Sequence, residues 1–258
     1  MPDARPTPPP EATDDRFANT ALTALRSSQA HLADAPGEHM LRYRPDVSPF
    51  VCLLGDPEAG LTELAGRMAP GELEWVLHPT ADPLLAEDRA GAWAEAHGVR
   101  LSGFGGVSQM VFPAEAPIPE GPGDDEVVPM SGPEAGQEMV DLTTAAFPGF
   151  FRIRTNAMGP YFGIRREGRL IAMGGDRMCF GEFREVSGIC TLPEYRGQGL
   201  ASAIIRRILR EHRTAGYRSY LHLGSTNTGA RRIYEQLGFV FNREVFCTRV
   251  FKPEEAAG

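Results

Sequence analysis

The feature that most constrains the fold is a glycine-rich segment at residues 196–201, which reads Arg-Gly-Gln-Gly-Leu-Ala. A strand-like run at residues 185–191 precedes it, and a strongly amphipathic run with helical spacing follows it at residues 200–213. Glycine lets the backbone approach a ligand closely because it has no Cβ atom. The first amides of a helix have no partner within the helix and lie at its positive end. A strand, a glycine-rich turn and a helix N-terminus in this order predict a binding site for a phosphate or diphosphate group.

Charge and composition exclude several classes of function. The 258 residues carry a net charge of −8, and 42% of them are apolar, which is enough for a substantial core. An acidic chain lacks the basic face that non-specific nucleic-acid binding needs, so we expect no nucleic-acid partner. No run approaches the roughly 18 apolar residues that a membrane span needs, so we expect no membrane partner.

Cysteine usage and the N-terminal residues indicate the compartment. The four cysteines are scattered, without a Cys-x-x-Cys motif or a histidine at metal-ligand spacing, and they predict reduced thiols and no metal site. The first residues are acidic and contain no apolar core, so we expect no signal peptide. We therefore expect a cytoplasmic protein.

Shifts in composition divide the chain into four parts. Residues 1–37 begin as a proline-rich, polar tail that we expect to be disordered, followed by a helix from Asp14 or Asp15 to about residue 33. Residues 38–112 alternate strand-like and helix-like runs without a glycine-rich turn, which predicts an accessory α/β domain. Residues 113–125 are dense in proline, glycine and acidic residues and are typical of a linker. Residues 126–252 form a second α/β domain that contains the glycine-rich turn.

Two segments of this second domain coincide in order and separation with those of a known family. They are Arg196-x-x-Gly199-x-Ala201 and Asn227-x-x-Ala230-x-x-x-Tyr234-x-x-x-Gly238-Phe239. Together they resemble the GNAT superfamily of acyl-CoA-dependent N-acyltransferases, and within it the subgroup similar to glycine N-acyltransferase. The resemblance covers residues 126–252 and implies a mixed, splayed sheet in that half. The N-terminal α/β half resembles a degenerate first copy, as in tandem GNAT proteins.

The resemblance implies acetyl-CoA as the acyl donor and places its contacts. In the family, the glycine-rich turn wraps the diphosphate, the preceding strand pairs with the pantetheine arm, and the capping asparagine of the later helix contacts the pantetheine. That strand must separate from its neighbour, and Gly188 is a candidate bulge. The implied coenzyme-binding residues are Ile189, Cys190, Thr191, Arg196, Gly197, Gln198, Gly199, Leu200, Ala201, Asn227 and Tyr234.

The implied chemistry is direct attack of an amine on the thioester. The backbone N–H of Cys190 is the candidate donor to the oxyanion. Tyr234 matches the tyrosine that faces the departing sulfur and is the candidate general acid. Glu185 is the candidate base because similar enzymes often have a glutamate on this strand, and His222 is the second candidate. No metal is required.

Each of these residues also has a simpler interpretation. Tyr234 fits a core aromatic at helical spacing, Glu185 fits an ion pair with Arg184 or another surface arginine, and His222 fits a packing histidine. A nucleophilic role for Cys190 is disfavoured because no acidic or basic partner adjoins it in the sequence.

The sequence therefore predicts a transferase, an N-acetyltransferase that acts on a primary amine of a small molecule such as an amino acid. Two alternatives stay open, a protein N-terminal or lysine acetyltransferase and a non-catalytic acyl-CoA-binding or interaction module. A homodimer is also open, since the sequence gives no oligomeric state.

Overall fold

The computed structural model describes residues 9–79, 87–132, 134–146 and 148–254. Ten strands form one mixed sheet within these residues. The strands are Met40–Arg42 (β1), Phe50–Leu53 (β2), Leu73–His78 (β3), Arg100–Val111 (β4), Val128–Met130 (β5), Tyr161–Arg166 (β6), Arg169–Phe180 (β7), Phe183–Thr191 (β8), Arg218–Gly224 (β9) and Val240–Phe251 (β10). The α-helices are Thr20–Leu25 (α1), Pro57–Arg67 (α2), Glu87–Ala96 (α3), Ala135–Ala146 (α4), Leu200–Thr214 (α5) and Thr228–Leu237 (α6).

The sheet runs through both halves of the chain. Its strand order is β1-β2-β3-β10-β4-β9-β8-β7-β6-β5. Strand β4 comes from the N-terminal half, yet it lies between β9 and β10 and is antiparallel to both. Strands β8 and β9 are parallel, which makes the sheet mixed. The second half therefore completes its sheet with a strand from the N-terminal half, which lies more than a hundred residues before its partners β9 and β10 in the chain.

Successive residues of β9 show that the two faces of the sheet carry separate cores. Leu221 belongs to the cluster beneath α4 and α5, which includes Ile204 and Ile208. Tyr220, its neighbour, belongs to the cluster of the N-terminal segment around Phe17 and Phe183. Side chains alternate between faces along a strand, so helices α4 and α5 cover one face and the N-terminal segment covers the other. Among the described residues, no helix has both the length and the apolar character to cross a lipid bilayer.

The N-terminal segment differs from the single helix that the sequence predicts. A one-turn 3-10 helix at Asp15–Phe17 precedes α1, and another at Ala30–Leu32 follows it. Asn19 caps α1 by accepting a hydrogen bond from the Leu22 amide at 3.0 Å, so the predicted Asp14 or Asp15 cap is wrong for this helix. Beyond the end of α1, the buried Gln29 side chain donates to the Met158 and Arg177 carbonyl oxygens of the second half. Residues 1–8 of the predicted disordered tail lie outside the described residues. The prediction is wrong for Pro10–Thr13, which forms a one-turn 3-10 helix with a buried Glu11 that pairs with Arg218.

The segment predicted to be a linker is held along α5 by arginine side chains. Arg206 and Arg210 both donate to the Asp124 carboxylate at 2.7 Å. Arg206 also donates to the Pro122 carbonyl at 2.8 Å, and Arg213 donates to the Ala116 carbonyl at 2.6 Å. Residues 113–125 thus form a strap against the helix that carries the glycine-rich turn.

Asp124→Asn should lower the free energy of unfolding at pH 7 by about 1–2 kcal/mol, because two charge-assisted hydrogen bonds are weakened. Burial acts to raise the Asp124 pKa, but the bonds from Arg206 and Arg210 outweigh it and lower the pKa. A lowered carboxylate pKa means that the stabilisation is present above the unfolded pKa and is lost as the pH falls through the folded pKa. Urea unfolding at pH 7 and pH 3 measures this. The neighbouring, exposed Asp125→Asn is the matched control, and equal losses in both variants would contradict the assignment.

Candidate active site

A gap opens between the two parallel strands β8 and β9. Pairing between them covers Phe183–Glu185 and Arg218–Tyr220. Beyond Glu185 and Tyr220, no further pairs join these strands in the described part of the chain. The predicted splay is confirmed, and the gap opens towards the C-terminal ends of both strands.

A bulge in β8 accompanies the gap. Met173 pairs with Cys190 and Gly175 pairs with Ser187, so two residues of β8, Gly188 and Ile189, lie opposite one residue of β7. Gly188 has a φ of 64°, which glycine adopts without strain. A Cβ at this position would also lie 3.2 Å from the Tyr161 ring. The predicted bulge at Gly188 is confirmed, and a bulge of this kind bends the strand locally.

The hydrogen-bond pattern of β7 and β8 shows which amides face the gap. The Leu192 N–H donates to the Ile171 carbonyl at 2.9 Å. In an antiparallel pair, bonded and non-bonded residue pairs alternate, so Cys190, opposite Met173, directs its N–H towards β7. Thr191, in the non-bonded pair with Ala172, directs its N–H away from β7 and into the gap, and Ile189 lies in the bulge next to Cys190. The Cys190 amide, which the sequence analysis assigned as the oxyanion donor, is therefore directed towards β7, and the Ile189 amide in the bulge is the alternative candidate.

The glycine-rich turn lies at the open end of the gap, where β8 ends. Gly197 and Gly199 have φ values of 79° and 80°, and a Cβ on either would meet no atom within 4 Å. Gly199 is the N-cap of α5 and contributes no side-chain cap, so the first amides of the helix stay available to a ligand. Arg196 donates to the Thr191 carbonyl at 3.3 Å and ties the turn to β8. This geometry suits a diphosphate in the turn and an extended arm along β8.

Helix α6 brings Tyr234 to the gap from the α5 side of the sheet. The Asn227 side chain accepts a hydrogen bond from the Ala230 amide at 3.1 Å, and Gly238 ends the helix with a φ of 103°. The Tyr234 ring packs edge-on against Phe239 and is 9% exposed. Its hydroxyl has no hydrogen-bond partner among the described residues. Burial, together with the charge of Glu185, raises the Tyr234 pKa to about 12, so the phenol is protonated at neutral pH.

Glu185 is the last β8 residue that pairs with β9, so it lies where the gap begins, which we call the vertex of the gap. It is fully buried. Its carboxylate accepts hydrogen bonds from the Arg177 guanidinium at 2.5 and 3.0 Å, from the Met178 amide at 3.1 Å, and contacts His222 Nδ1 at 2.8 Å. Burial alone would raise the Glu185 pKa, but Arg177 and His222 lower it to about 2. The carboxylate is therefore ionised and fully engaged. Its arginine partner is Arg177, whose side chain is 13% exposed, and not Arg184.

Comparison with known proteins agrees with this geometry. The family model "Acetyltransferase (GNAT) family" matches residues 129–239. A GNAT-family protein of Novosphingobium aromaticivorans is 30% identical, with a TM-score of 0.76 over 93% of this chain and 99% of that chain. The chain belongs to the GNAT acetyltransferase family. No curated protein matches it.

Two further solved structures show the GNAT fold alone, because their identity to this chain is low. A GCN5-related N-acetyltransferase of Kribbella flavida is 17% identical, with a TM-score of 0.60 over 95% of this chain and 97% of that chain. A GCN5-related N-acetyltransferase-like protein of Streptococcus suis is 12% identical, with a TM-score of 0.56 over 88% of this chain and 92% of that chain. The similarity extends over both halves of the chain, so the N-terminal half is part of the shared fold.

The GNAT site has further residues that the sequence analysis missed. Arg177, Gln109 and Asn242 join Glu185 and His222 in one buried polar group. No local motif marks these residues, since Gln109 and His222 are 113 positions apart. Cys190 is 8% exposed, and burial raises the pKa of its thiol to about 12. A neutral thiol is a poor nucleophile, which agrees with direct transfer.

Proposed function

We propose that this GNAT protein transfers the acetyl group of acetyl-CoA to a primary amine of a small molecule such as an amino acid. The observation that carries the proposal is the β8–β9 gap, which joins the glycine-rich turn at one end to Tyr234 and Glu185 at the other. In this proposal the diphosphate lies in the turn, the pantetheine arm lies along β8 in the gap and the thioester lies near Tyr234, in that order.

The amine nitrogen attacks the thioester carbonyl carbon and forms the C–N bond of a tetrahedral oxyanion, and the C–S bond breaks when this intermediate collapses. The Ile189 amide donates to the oxyanion of the tetrahedral intermediate. Tyr234 gives its proton to the departing thiolate. The proton lost by the amine leaves through water, because both Glu185 and His222 already use their hydrogen-bonding atoms within the protein.

The covered face of the sheet supports a small acceptor. Glu185 and Tyr43 are 0% exposed and Phe50 is 4% exposed, so the N-terminal half closes this side of the site. An extended peptide needs an open groove of several residues, whereas an amino acid needs one small opening. The same argument favours the subgroup similar to glycine N-acyltransferase. We further propose that residues 38–112 descend from a first GNAT copy. We also propose that the chain forms a homodimer in the cytoplasm.

Thiol release from acetyl-CoA, measured against a panel of amino acids, small amines and peptides, tests the proposal. We expect release with at least one small amine and none with peptides. Release with peptides alone would assign a protein acetyltransferase instead. Tight binding of acetyl-CoA with no release for any amine would assign a binding module and overturn the enzyme proposal.

Gly199→Ala should weaken acetyl-CoA binding by at least tenfold, since the new Cβ lies where the turn meets the diphosphate. Part of the effect is conformational, because a left-handed residue with a Cβ is strained by about 1–2 kcal/mol. Gly216→Ala is the matched control, since Gly216 has a φ of 76° and equally open surroundings at the other end of α5. Calorimetric titration with acetyl-CoA measures the affinity of both variants, and the difference between them separates the lost diphosphate contact from the backbone strain. Equal affinities in both variants would place the diphosphate elsewhere.

A further inference from the structure

A buried chain of polar side chains crosses five neighbouring strands at the vertex of the gap. In sheet order the strands are β10, β4, β9, β8 and β7. Their residues are Asn242, Gln109, His222, Glu185 and Arg177. Gln109 and Glu185 are 0% exposed and Asn242 is 5% exposed. A polar chain of this length in a core constrains the position of every member.

The orientation of the Gln109 amide follows from its other partners. Its Nε2 lies 3.2 Å from the Phe17 carbonyl oxygen, which can only accept. Its Oε1 accepts from Asn242 Nδ2 at 2.6 Å. The amide nitrogen is therefore the atom that lies 2.9 Å from His222 Nε2, and it donates there.

This orientation fixes the tautomer of His222. A ring nitrogen that accepts from an amide carries no proton, so Nε2 is unprotonated and the proton is on Nδ1. The Nδ1–H then donates to Glu185 Oε1 at 2.8 Å. A second proton on Nε2 would point at the Gln109 NH₂ group, and two donors form no hydrogen bond with each other. The charged groups around the imidazole are Glu185, in contact with it, and Arg177 behind that carboxylate.

The His222–Glu185 contact lies where the strands separate. Glu185 pairs with Tyr220, the last residue of β9 that pairs with β8. His222 follows two residues later on the same face of β9, so its side chain bridges the first unpaired positions of the gap. This bridge therefore lies where β8 and β9 begin to separate.

We infer that Gln109 is a positioning residue that holds His222 as the neutral Nδ1–H tautomer and thereby fixes the bridge to Glu185. The inference rests on the proposed function for its effect on turnover, although the tautomer itself is a property of the protein alone. Strand β4 supplies Gln109, so the N-terminal half completes the catalytic sheet. An accessory domain beside that sheet would have no such role.

Two variants separate the effect of the Gln109 hydrogen-bond donor from the effect of the side-chain volume. Gln109→Met keeps the size and removes the donor, and Gln109→Glu replaces the donor with an acceptor. Nitrogen-15 NMR of the imidazoles reports the protonation of each ring nitrogen. His222→Asn identifies the His222 signal among the six histidines. Gln137→Met, at an exposed helical glutamine that bonds Asp141, is the control.

We expect the wild-type His222 spectrum, recorded at pH 7, to show a protonated Nδ1 and an unprotonated Nε2. Gln109→Glu should place a proton on Nε2 as well, because a carboxylate at this position accepts a hydrogen bond. Both Gln109 variants should lower kcat by about 10- to 100-fold, as expected for a misplaced bridge, with little change in the KM for acetyl-CoA. Gln137→Met should match the wild type in both measurements.

A wild-type His222 with its proton on Nε2 would overturn the inference, as would Gln109 variants with unchanged spectra. Turnover unchanged in both Gln109 variants would overturn the positioning role. If the wild type transfers acetyl to no amine, the proposed function fails, and the NMR result still decides the tautomer. The wild-type spectrum suffices for that decision even where a variant folds poorly.

Discussion

Phenylalanine in place of Tyr234 should lower kcat by about 10²- to 10⁴-fold, the usual range for loss of a general acid. The affinity for acetyl-CoA should be nearly unchanged, because the ring keeps its packing against Phe239 and the hydroxyl has no described protein partner to lose. The change therefore removes an interaction that acts on the departing sulfur. Stability should change little for the same reason.

Thiol release under saturating acetyl-CoA measures kcat, and calorimetry measures the affinity of the variant. Tyr217→Phe is the matched control, because Tyr217 is 39% exposed and lies beneath Arg184, away from the gap. With a Tyr234 pKa of about 12, the proton donor is fully present at neutral pH and is lost only as the pH rises towards 12. An unchanged kcat, or an affinity loss that accounts for the whole effect, would remove Tyr234 from the mechanism.

Those parts of the site that depend on neighbouring residues could be predicted from the sequence. The Asn227 cap, the Gly238 helix end and the positive φ of Gly199 are each set within a few residues. The hairpin at Gly168 is of the same kind, with a φ of 80° after Glu167 at 51°. Such features follow from local backbone sterics and capping, and a local pattern contains that information.

The parts that depend on distant pairing could not be predicted. Three glycines at positions 103, 105 and 106 interrupt the strand pattern in the first half of β4. Its place between β9 and β10 depends on cross-strand contacts over more than a hundred residues, and no local period specifies them. Gln109 was missed for this reason.

The arginine partner of Glu185 could not be predicted either, although the two residues are close in the sequence. An arginine partner was considered, but the nearest arginine in the sequence, Arg184, points elsewhere and lies over the Tyr217 ring. A second bulge between β7 and β8 places Arg177 and Met178 opposite Glu185, so both donate to its carboxylate. Bulges shift the pairing register, and the sequence pattern alone does not locate them.

Glu185→Gln should lower the free energy of unfolding by about 3–5 kcal/mol, because Arg177 would keep a buried charge without its counter-ion. Burial opposes the ionised carboxylate, yet Arg177 and His222 lower its pKa to about 2. The stabilisation is therefore complete above the unfolded pKa of about 4.3 and is lost as the pH falls towards 2. Urea unfolding across this range measures it. Glu182→Gln is the control, since Glu182 forms an exposed pair with Arg16.

Kinetics distinguish this structural role from the role of a base. A base with a pKa of about 2 is already ionised at every pH where the enzyme works, so kcat should show no acidic limb from Glu185 between pH 5 and 9. The double variant Arg177→Met with Glu185→Gln removes the unpaired charge and should recover much of the lost stability. If Glu185→Gln instead keeps full stability and abolishes turnover together with an acidic limb, the carboxylate is the base. The hydrogen bonds to Arg177 would then have to open during each turnover.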